Sequence, residues 1–206
     1  MKGRFITLEG GEGVGKSTNL DLVVELIETA GHRVVKTREP GGTPLAEEIR
    51  DLFLGVRDEV VSGLTELLLI FAARAQHLDT VIRPALDSGV WVVCDRFTDA
   101  TYAYQGGGRG LPAVQIEVLE QLVQAGLQPD LTLYLDVPVA VGQARIEDRE
   151  HDRMERERIE FYEAVRASYL DRAAAHPRIT LVDAAGTLPQ VQARIRSVLA
   201  DFLKAG

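Results

Sequence analysis

The chain has few of the features that mark exported, membrane-bound or disulfide-stapled proteins. It contains a single cysteine, Cys94, which leaves no partner for a disulfide and no cysteine-based metal site. No run approaches the roughly 18 apolar residues of a membrane span. Residues 1–8 also lack the apolar core of about 7 to 15 residues found in a signal peptide. We therefore expect a cytoplasmic protein with no membrane partner.

Basic residues are outnumbered, with 23 Lys and Arg against 31 Asp and Glu and a formal net charge of -8. A chain of this balance is not expected to coat itself with nucleic acid. Its basic residues are nevertheless 19 Arg and only 4 Lys. Because the Arg guanidinium is a planar fork of donors that matches phosphate oxygens, the composition still allows a small phosphorylated ligand.

The chain also lacks repeats and any linker rich in Pro, Gly or Ser, so we predict one domain over residues 1–206. Five short apolar runs predict buried strands at 4–8, 33–37, 90–94, 131–135 and 179–182. Helix-patterned stretches lie between them. This alternation predicts an α/β fold whose mostly parallel sheet has helices on both faces, with ligands at the carboxyl ends of the strands.

The first predicted strand leads directly into a phosphate-binding motif. Residues 10–17 read Gly-Gly-Glu-Gly-Val-Gly-Lys-Ser, which matches G-x-x-x-x-G-K-[ST] between a strand and an amphipathic helix. In this motif backbone N–H groups surround a phosphate, Lys16 reaches the β and γ oxygens, and the Ser17 hydroxyl binds Mg²⁺. The predicted ATP-binding residues are Gly10, Gly11, Glu12, Gly13, Val14, Gly15, Lys16, Ser17 and Thr18.

The scarcity of asparagine narrows the class of nucleotide-binding protein. Asn19, inside the first predicted helix, is the only asparagine. The guanine-reading motif N-K-x-D of GTPases and the His-Arg-Asp…Asn loop of protein kinases both require an asparagine elsewhere in the chain. Both classes are therefore excluded. Since 206 residues leave little chain for a motor or a large ATPase, a small-molecule kinase is the leading class.

Two further strand ends carry polar residues. The strand at 90–94 is followed by Asp95 and Arg96, which fit a carboxylate that holds Mg²⁺ through water and a guanidinium that grips a phosphate. A surface ion pair is the alternative reading. The strand at 33–37 is followed by a turn with Pro40, Gly41 and Gly42, which alone indicates only a sharp bend.

Together these motifs resemble those of the bacterial thymidylate kinases, within the P-loop nucleoside monophosphate kinase group. The matching segments occur in family order across nearly the whole chain, at 9–18, 37–43, 71–74, 95–97, 103–105, and 152–153 with Glu155. The resemblance implies a P-loop NTPase-type five-stranded parallel sheet of order 2-3-1-4-5. It also implies a homodimer that transfers the γ-phosphoryl group of ATP to dTMP with Mg²⁺, giving ADP and dTDP on the route to dTTP.

The resemblance also implies roles for individual residues. Arg96 would bind the dTMP phosphate, Arg74 the thymine O4, and Thr101 and Gln105 the N3 edge of the base. Phe71 or a neighbouring residue would pack on the thymine ring. The implied dTMP site comprises Glu39, Pro40, Arg50, Phe71, Arg74, Arg96, Thr101, Tyr104 and Gln105, with Tyr104 crowding the sugar 2′ position. Ser17 and Asp95 form the implied metal site.

Thymine itself, with two carbonyl acceptors, one N–H and a methyl group, requires this kind of pocket. Arg74 supplies donors and Gln105 a two-way amide. Read alone, Arg74 could instead extend to solvent along its aliphatic stem. The chain departs from many relatives at Ala100, where they have Ser.

Residues 143–160 carry five Arg among seven acids, with Arg145, Arg149 and Arg153 spaced by four. Alone this pattern favours a solvated, salt-bridged helix. The resemblance instead implies a lid over residues 143–160 that supplies catalytic arginines. Similar enzymes have no basic residue inside the phosphate loop, and Glu12 fits that arrangement. The spacing of residues in this lid is one residue shorter than in some relatives, so Arg149 and Arg153 are both candidates for contacting the γ-phosphoryl group. Arg145 is a candidate for binding ATP.

The implied catalytic set is thus Lys16, Arg96, Glu12, Arg149 and Arg153. Other functions stay open on the residues alone. A deoxynucleoside kinase would use Glu39 as a base for a hydroxyl acceptor, and another nucleoside monophosphate kinase would keep the same phosphate loop. A nucleotide-binding regulator would use its charged helix to dock a partner.

Overall fold

The computed structural model describes residues 2–147 and 152–204. Its five strands confirm the predicted apolar runs, each to within one residue at either end: β1 Phe5–Glu9, β2 Val34–Arg38, β3 Trp91–Asp95, β4 Leu131–Asp136 and β5 Ile179–Asp183. All pair in parallel in the order β2-β3-β1-β4-β5. The predicted α/β fold and sheet order are therefore confirmed.

Helices follow the strands: α1 Lys16–Thr29, α2 Pro44–Leu54, α3 Gly63–His77, α4 Arg83–Asp87, α5 Thr98–Thr101, α6 Ala113–Gln124, α7 Val139–Ala144, α8 Ile159–Ala175 and α9 Leu188–Lys204. Two π-helical segments, Leu78–Ile82 and Tyr102–Gly108, continue α3 and α5. Local sequence sets two of these starts. Thr43 and Ser62 accept hydrogen bonds from N–H groups in the first turns of α2 and α3.

Side chains alternate across the sheet and build a core on each face. On one face, Ile6 and Val93 pack with helices α1 and α9. On the other, Phe5, Val92 and Cys94 pack with the segment after α3. Burial of one such side chain stabilises the fold by about 1.5–3 kcal/mol. The apolar cores on the two faces therefore keep the sheet rigid, including the edge at the carboxyl ends of the strands, where the site lies.

The charged segment 143–160 is not one continuous helix in its described parts. Helix α7 ends at Ala144 and α8 begins at Ile159, with turns between them at 145–147 and 153–156. Arg149 lies outside the described residues. Within the described ranges, no helix is both long and apolar enough to cross a membrane.

Candidate active site

The phosphate loop connects buried β1 to α1, and its glycines are required by geometry. Gly15 precedes α1 with φ 87°, in the left-handed region. Gly13 has φ 69°, and a Cβ there would lie 2.0 Å from the carbonyl oxygen of Gly142 in α7. Only glycine therefore lets the loop turn tightly against α7 while its backbone surrounds the cavity in front of α1.

Lys16 begins α1 beneath this loop and is almost fully buried. Its Nζ donates to the carbonyl oxygens of Gly10, at 3.2 Å, and Gly11, at 2.7 Å. Burial lowers the pKa of Lys16 and nearby Arg96 lowers it further, whereas Glu12 opposes the shift. The ammonium group is thus held where the motif places a triphosphate.

A cavity of about 570 Å³ extends from the phosphate loop past the ends of β2 and β3 to α3 and α5. It brings together most of the predicted site, namely Glu12, Gly13, Gly15, Lys16, Ser17, Thr18, Glu39, Pro40, Arg50, Arg74, Asp95, Arg96, Thr101, Tyr104 and Gln105. Gly10, Gly11 and Val14 do not line it. They shape the loop from behind, with Val14 buried in the core.

Arg96 lies close to Lys16, since both donate to the Gly10 carbonyl oxygen, and it is held from several sides. Its φ is 68°, an uncommon value for a residue with a side chain. Nη1 donates to the Gly10 carbonyl at 2.8 Å and Nη2 to Oε1 of Glu12 at 2.6 Å. Tyr104 lies beneath the guanidinium at 4.8 Å and donates its hydroxyl to the same Glu12 oxygen at 2.9 Å. Burial opposes the charged form, but Tyr104 and Glu12 raise the pKa of Arg96 well above its ordinary value. The group therefore stays cationic.

Arg74 lies at the far end of the cavity, with its side chain only 1% exposed. Its Nε donates to Oε2 of Glu39 at 2.7 Å, and Nη2 donates to Oγ1 of Thr101 at 3.0 Å. Among the described residues, Nη1 of Arg74 and Oε1 of Gln105 have no hydrogen-bond partner although both are buried. Since both side chains line the cavity, one donor and one acceptor remain for a ligand.

Of the residues expected near the base, Phe71 itself does not line the cavity. Phe71 is 2% exposed and packs with Leu67 and Ile116, away from the cavity, where it supports the guanidinium of Arg74 at 4.7 Å. Ile70, the preceding residue, lines the cavity instead. One step along a helix rotates the side chain by about 100°, which is enough to exchange a cavity position for a core position.

The structure also moves Arg153 away from its predicted catalytic place. Its Nη1 donates to Oε1 of Glu66 at 2.6 Å and its Nε to the carbonyl oxygen of Phe53 at 2.9 Å. Arg153 does not line the cavity, and its charge is paired with Glu66 of α3 instead of facing the phosphate loop. Arg145 fits its predicted place better, because its Nη1 donates to the carbonyl oxygen of Gly13 in the loop at 3.2 Å.

The predicted metal site has the correct donor chemistry. Asp95 ends β3 and lines the cavity together with Ser17. Its Oδ1 is buried and finds no hydrogen-bond partner among the described residues. In residues 2–147 and 152–204 no three His, Cys, Asp or Glu side chains gather into a metal cluster. One carboxylate and one hydroxyl, completed by phosphate oxygens and water, match the way Mg²⁺ is bound.

Several residues around the site could not be assigned a role from the sequence. His77 donates from Nδ1 to Oε1 of Glu39 and shares a hydrogen bond with the Thr37 hydroxyl through Nε2. Tyr169 donates its hydroxyl to Glu9 at 2.8 Å. Glu66 binds Arg109, for which the sequence suggested no role. One signal was available, since Glu66 and His77 share with Arg74 the apolar face of α3 at helical spacing.

A phosphate loop after the first strand of a parallel 2-3-1-4-5 sheet, at one end of a cavity lined by polar side chains, defines a P-loop NTPase fold. Residues 8–195 match the family described as Thymidylate kinase. The chain belongs to the thymidylate kinase family.

Individual relatives agree over nearly the full length. The chain is 60% identical to a thymidylate kinase of Chromohalobacter salexigens over 205 residues, covering 98% of this chain and 97% of the relative. It is 58% identical to that of Pseudomonas syringae pv. syringae over 206 residues, 99% and 98% of the two chains. The crystal structure of thymidylate kinase from Ehrlichia chaffeensis superposes with a TM-score of 0.78 at 35% identity, covering 97% of this chain and 99% of that one.

Proposed function

We propose that this protein transfers the γ-phosphoryl group of ATP to dTMP, giving ADP and dTDP. The observation that carries the proposal is the cavity with Lys16 at one end and two unpaired polar atoms at the other. Nη1 of Arg74 suits the O4 acceptor of thymine, and Oε1 of Gln105 suits its N3–H donor. Thr101 lies beside both, and Ile70 supplies an apolar wall for the base.

The reaction we propose is in-line phosphoryl transfer, in which the protein supplies position and positive charge. The acceptor needs no general base, because a monophosphate with a second pKa near 6 is mostly dianionic at pH 7. Lys16 binds the donor phosphates, and Arg96 binds the dTMP phosphate with help from Arg50. Glu12 holds Arg96 and Tyr104 in place.

Ser17 and Asp95 would hold Mg²⁺ at the phosphate loop. When bound, the ion neutralises charge on the β- and γ-phosphates. Arg145 binds ATP at the outer side of the loop, where it already contacts Gly13. In a lid over residues 143–160, Arg149 is our candidate for the γ-phosphoryl group, since Arg153 is engaged by Glu66. ATP as donor fits a cytoplasmic enzyme, as does the single cysteine.

A deoxynucleoside kinase is the closest rival, and the environment of Glu39 argues against it. That enzyme would need a carboxylate base for its hydroxyl acceptor. Here Oε2 of Glu39 accepts from Arg74 and Oε1 lies 3.1 Å from Nδ1 of His77. Because both oxygens are occupied inside the protein, Glu39 holds Arg74 and is not placed to take a proton from substrate.

We also propose that the enzyme is a homodimer that associates through α3 and α6. These helices pack together and leave apolar side chains exposed along one side each. The exposed residues are Leu64 and Leu68 on α3, and Val114, Val118 and Leu122 on α6. Leu122 is 76% exposed. Spacings of four residues align these side chains into stripes that a second copy could cover.

The test is ADP release, measured with ATP, Mg²⁺ and a panel of acceptors: dTMP, dUMP, dCMP and thymidine. We expect dTMP to give the highest kcat/KM and thymidine to give background rates. Robust ADP release with thymidine alone would favour the deoxynucleoside kinase. ATP binding without acceleration by any monophosphate would favour a nucleotide-binding regulator.

A further inference from the structure

Glu66 is a buried carboxylate that receives four hydrogen bonds. It lies in the first turn of α3 with a side chain 0% exposed. Arg109 donates Nη2 to Oε1 at 2.9 Å and Nε to Oε2 at 3.0 Å. Arg153 donates to Oε1, and Nε2 of Gln105 donates to Oε2 at 3.2 Å. Burial alone would raise the pKa of Glu66, but the hydrogen bonds from Arg109 and Arg153 hold it below its ordinary value. Glu66 is therefore ionised.

This charge determines which way the amide of Gln105 points. A carboxylate accepts hydrogen bonds and cannot donate them, so the amide nitrogen of Gln105 must face Glu66. The amide oxygen then faces the opposite way. Oε1 is buried, lies on a side chain that lines the cavity, and has no partner among the described residues. The bond from Nε2 to Glu66 is the one side-chain hydrogen bond that Gln105 makes with the described residues, so no other hydrogen bond among them fixes the amide.

We propose that Glu66 is a specificity-determining positioning residue, which fixes Gln105 so that its carbonyl oxygen, and not its NH₂ group, meets the acceptor base. A base with an N–H donor at position 3, such as thymine or uracil, satisfies that oxygen. Cytosine carries an acceptor at N3 and is refused. This inference rests on the proposed function of the cavity and adds a determinant that does not itself contact substrate.

The network around Glu66 has a second consequence for the site. Arg109 continues to Oε1 of Glu157 at 2.7 Å, and the backbone N–H of Arg153 donates to the carbonyl oxygen of Leu54 at 3.0 Å. The segment that contains Arg153 and Glu157 is thereby tied to the residue that orients Gln105. Neither arginine lines the cavity, so both act on the base only through Glu66.

The test compares Glu66→Gln, Gln105→Ala and the double variant. For each protein, kcat/KM is measured with dTMP, dUMP and dCMP, together with KM for ATP. Gln at position 66 can donate as well as accept, so Gln105 can turn its NH₂ group to the cavity. We expect the dTMP-to-dCMP ratio of kcat/KM to fall about tenfold to a hundredfold, the scale of one misplaced hydrogen bond, with KM for ATP unchanged. Glu25→Gln, at an exposed position on α1 outside the proposed sites, is the matched control and should keep the wild-type ratio.

The double variant separates positioning from general support of the fold. If Glu66 acts through Gln105, then Glu66→Gln changes the base ratio no further once Gln105 is alanine. Additive losses of the ratio would overturn the proposal, as would a folded Glu66→Gln enzyme with the wild-type ratio. Failure of the wild type to release ADP with dTMP would instead overturn the proposed function.

Nuclear magnetic resonance on the wild type provides a measurement that does not depend on the variant folding. The side-chain NH₂ resonances of Gln105 should shift little when dTMP binds, because these protons face Glu66. A shift as large as that of the Arg74 guanidinium protons would mean that the NH₂ group contacts the base, and would overturn the proposal.

Discussion

The Nε atom of Arg74 lies 2.7 Å from Oε2 of Glu39, and neither side chain is more than 3% exposed. The other carboxylate oxygen of Glu39 lies 3.1 Å from Nδ1 of His77. Nε2 of that imidazole lies 2.7 Å from the hydroxyl of Thr37 at the end of β2. The Arg74 guanidinium is therefore anchored to the sheet through this buried chain of hydrogen bonds, while its Nη1 atom has no partner among the described residues.

Replacing Arg74 with lysine should weaken the use of dTMP while keeping a charge beside Glu39. Lysine cannot bind Glu39, Thr101 and the base at once, because it lacks the planar fork of donors. We expect kcat/KM for dTMP to fall by about 1.5–3 kcal/mol in transition-state stabilisation, roughly tenfold to a hundredfold. KM for ATP should stay within about twofold of wild type. Steady-state kinetics in each substrate measures both. Equal losses for ATP and dTMP would contradict the role of Arg74 in reading the base.

Substitutions of His77 should act on dTMP through Glu39 and Arg74. Asparagine can place an N–H where Nδ1 donates to Glu39, whereas leucine leaves that carboxylate oxygen unpaired. We expect His77→Leu to raise KM for dTMP about fivefold to tenfold, with a smaller effect on kcat, and His77→Asn to restore most of the loss. Gly42 faces the imidazole, since a Cβ there would lie 2.4 Å from Nε2. Equal effects of the two variants on KM would indicate that His77 serves packing alone.

The sequence predicts the backbone of this protein better than its side-chain partners. Strands and the phosphate loop follow from local patterns, so their positions were found to within a residue. The positions of the Phe71 and Arg153 side chains could not be predicted from local patterns. Which face of a helix meets a cavity, and which of several carboxylates binds an arginine, depends on packing between segments distant in the chain. Glu66 illustrates this point, because it lies 87 residues from Arg153.

Asp95→Asn should raise the concentration of Mg²⁺ that the reaction requires. The amide is the same size as the carboxylate but carries no charge, so it binds a hard divalent cation or its water more weakly. We expect half-maximal activity at a Mg²⁺ concentration at least about tenfold higher, with saturating Mg²⁺ restoring much of the rate. Activity is measured over a Mg²⁺ titration at fixed ATP, with Glu25→Gln as control. An unchanged Mg²⁺ midpoint would remove Asp95 from the metal site.

Val118→Asp should separate the subunits of the proposed dimer. The side chain is exposed in the middle of the apolar stripe on α6, so a charge there costs little in the monomer. Two copies of the charge would meet across a two-fold interface or be stripped of water in it, which opposes association. We expect sedimentation analysis to give a dimer for the wild type and a monomer for the variant, with unchanged circular dichroism. A wild-type monomer at micromolar concentration would refute the dimer.

Glu9, at the buried end of β1, should make the stability of the protein depend on pH. Burial, and then the charge of Asp99, raise the pKa of Glu9 from 4.5 to about 8, although Arg96 and the hydroxyl of Tyr169 oppose the shift. Below pH 4.5 the carboxyl is protonated in both folded and unfolded chains, and above about pH 8 it is ionised in both. Between these values only the folded chain keeps the proton. The free energy of unfolding must therefore fall as pH rises through this window, by at most about 1.4 kcal/mol per pH unit from this group.

Glu9→Gln removes that ionisation while its carbonyl oxygen can still accept from the backbone N–H of Phe97. We expect the wild type to lose stability relative to this variant as pH rises from about 5 to 8, and the difference to level off above that range. Urea unfolding at several pH values measures the difference directly, and subtraction cancels the titration of groups common to both proteins. Glu25→Gln, at an exposed position on α1, should follow the wild-type curve. Parallel curves for wild type and Glu9→Gln would mean that Glu9 is ionised throughout, stabilised as an anion by Tyr169 and Arg96.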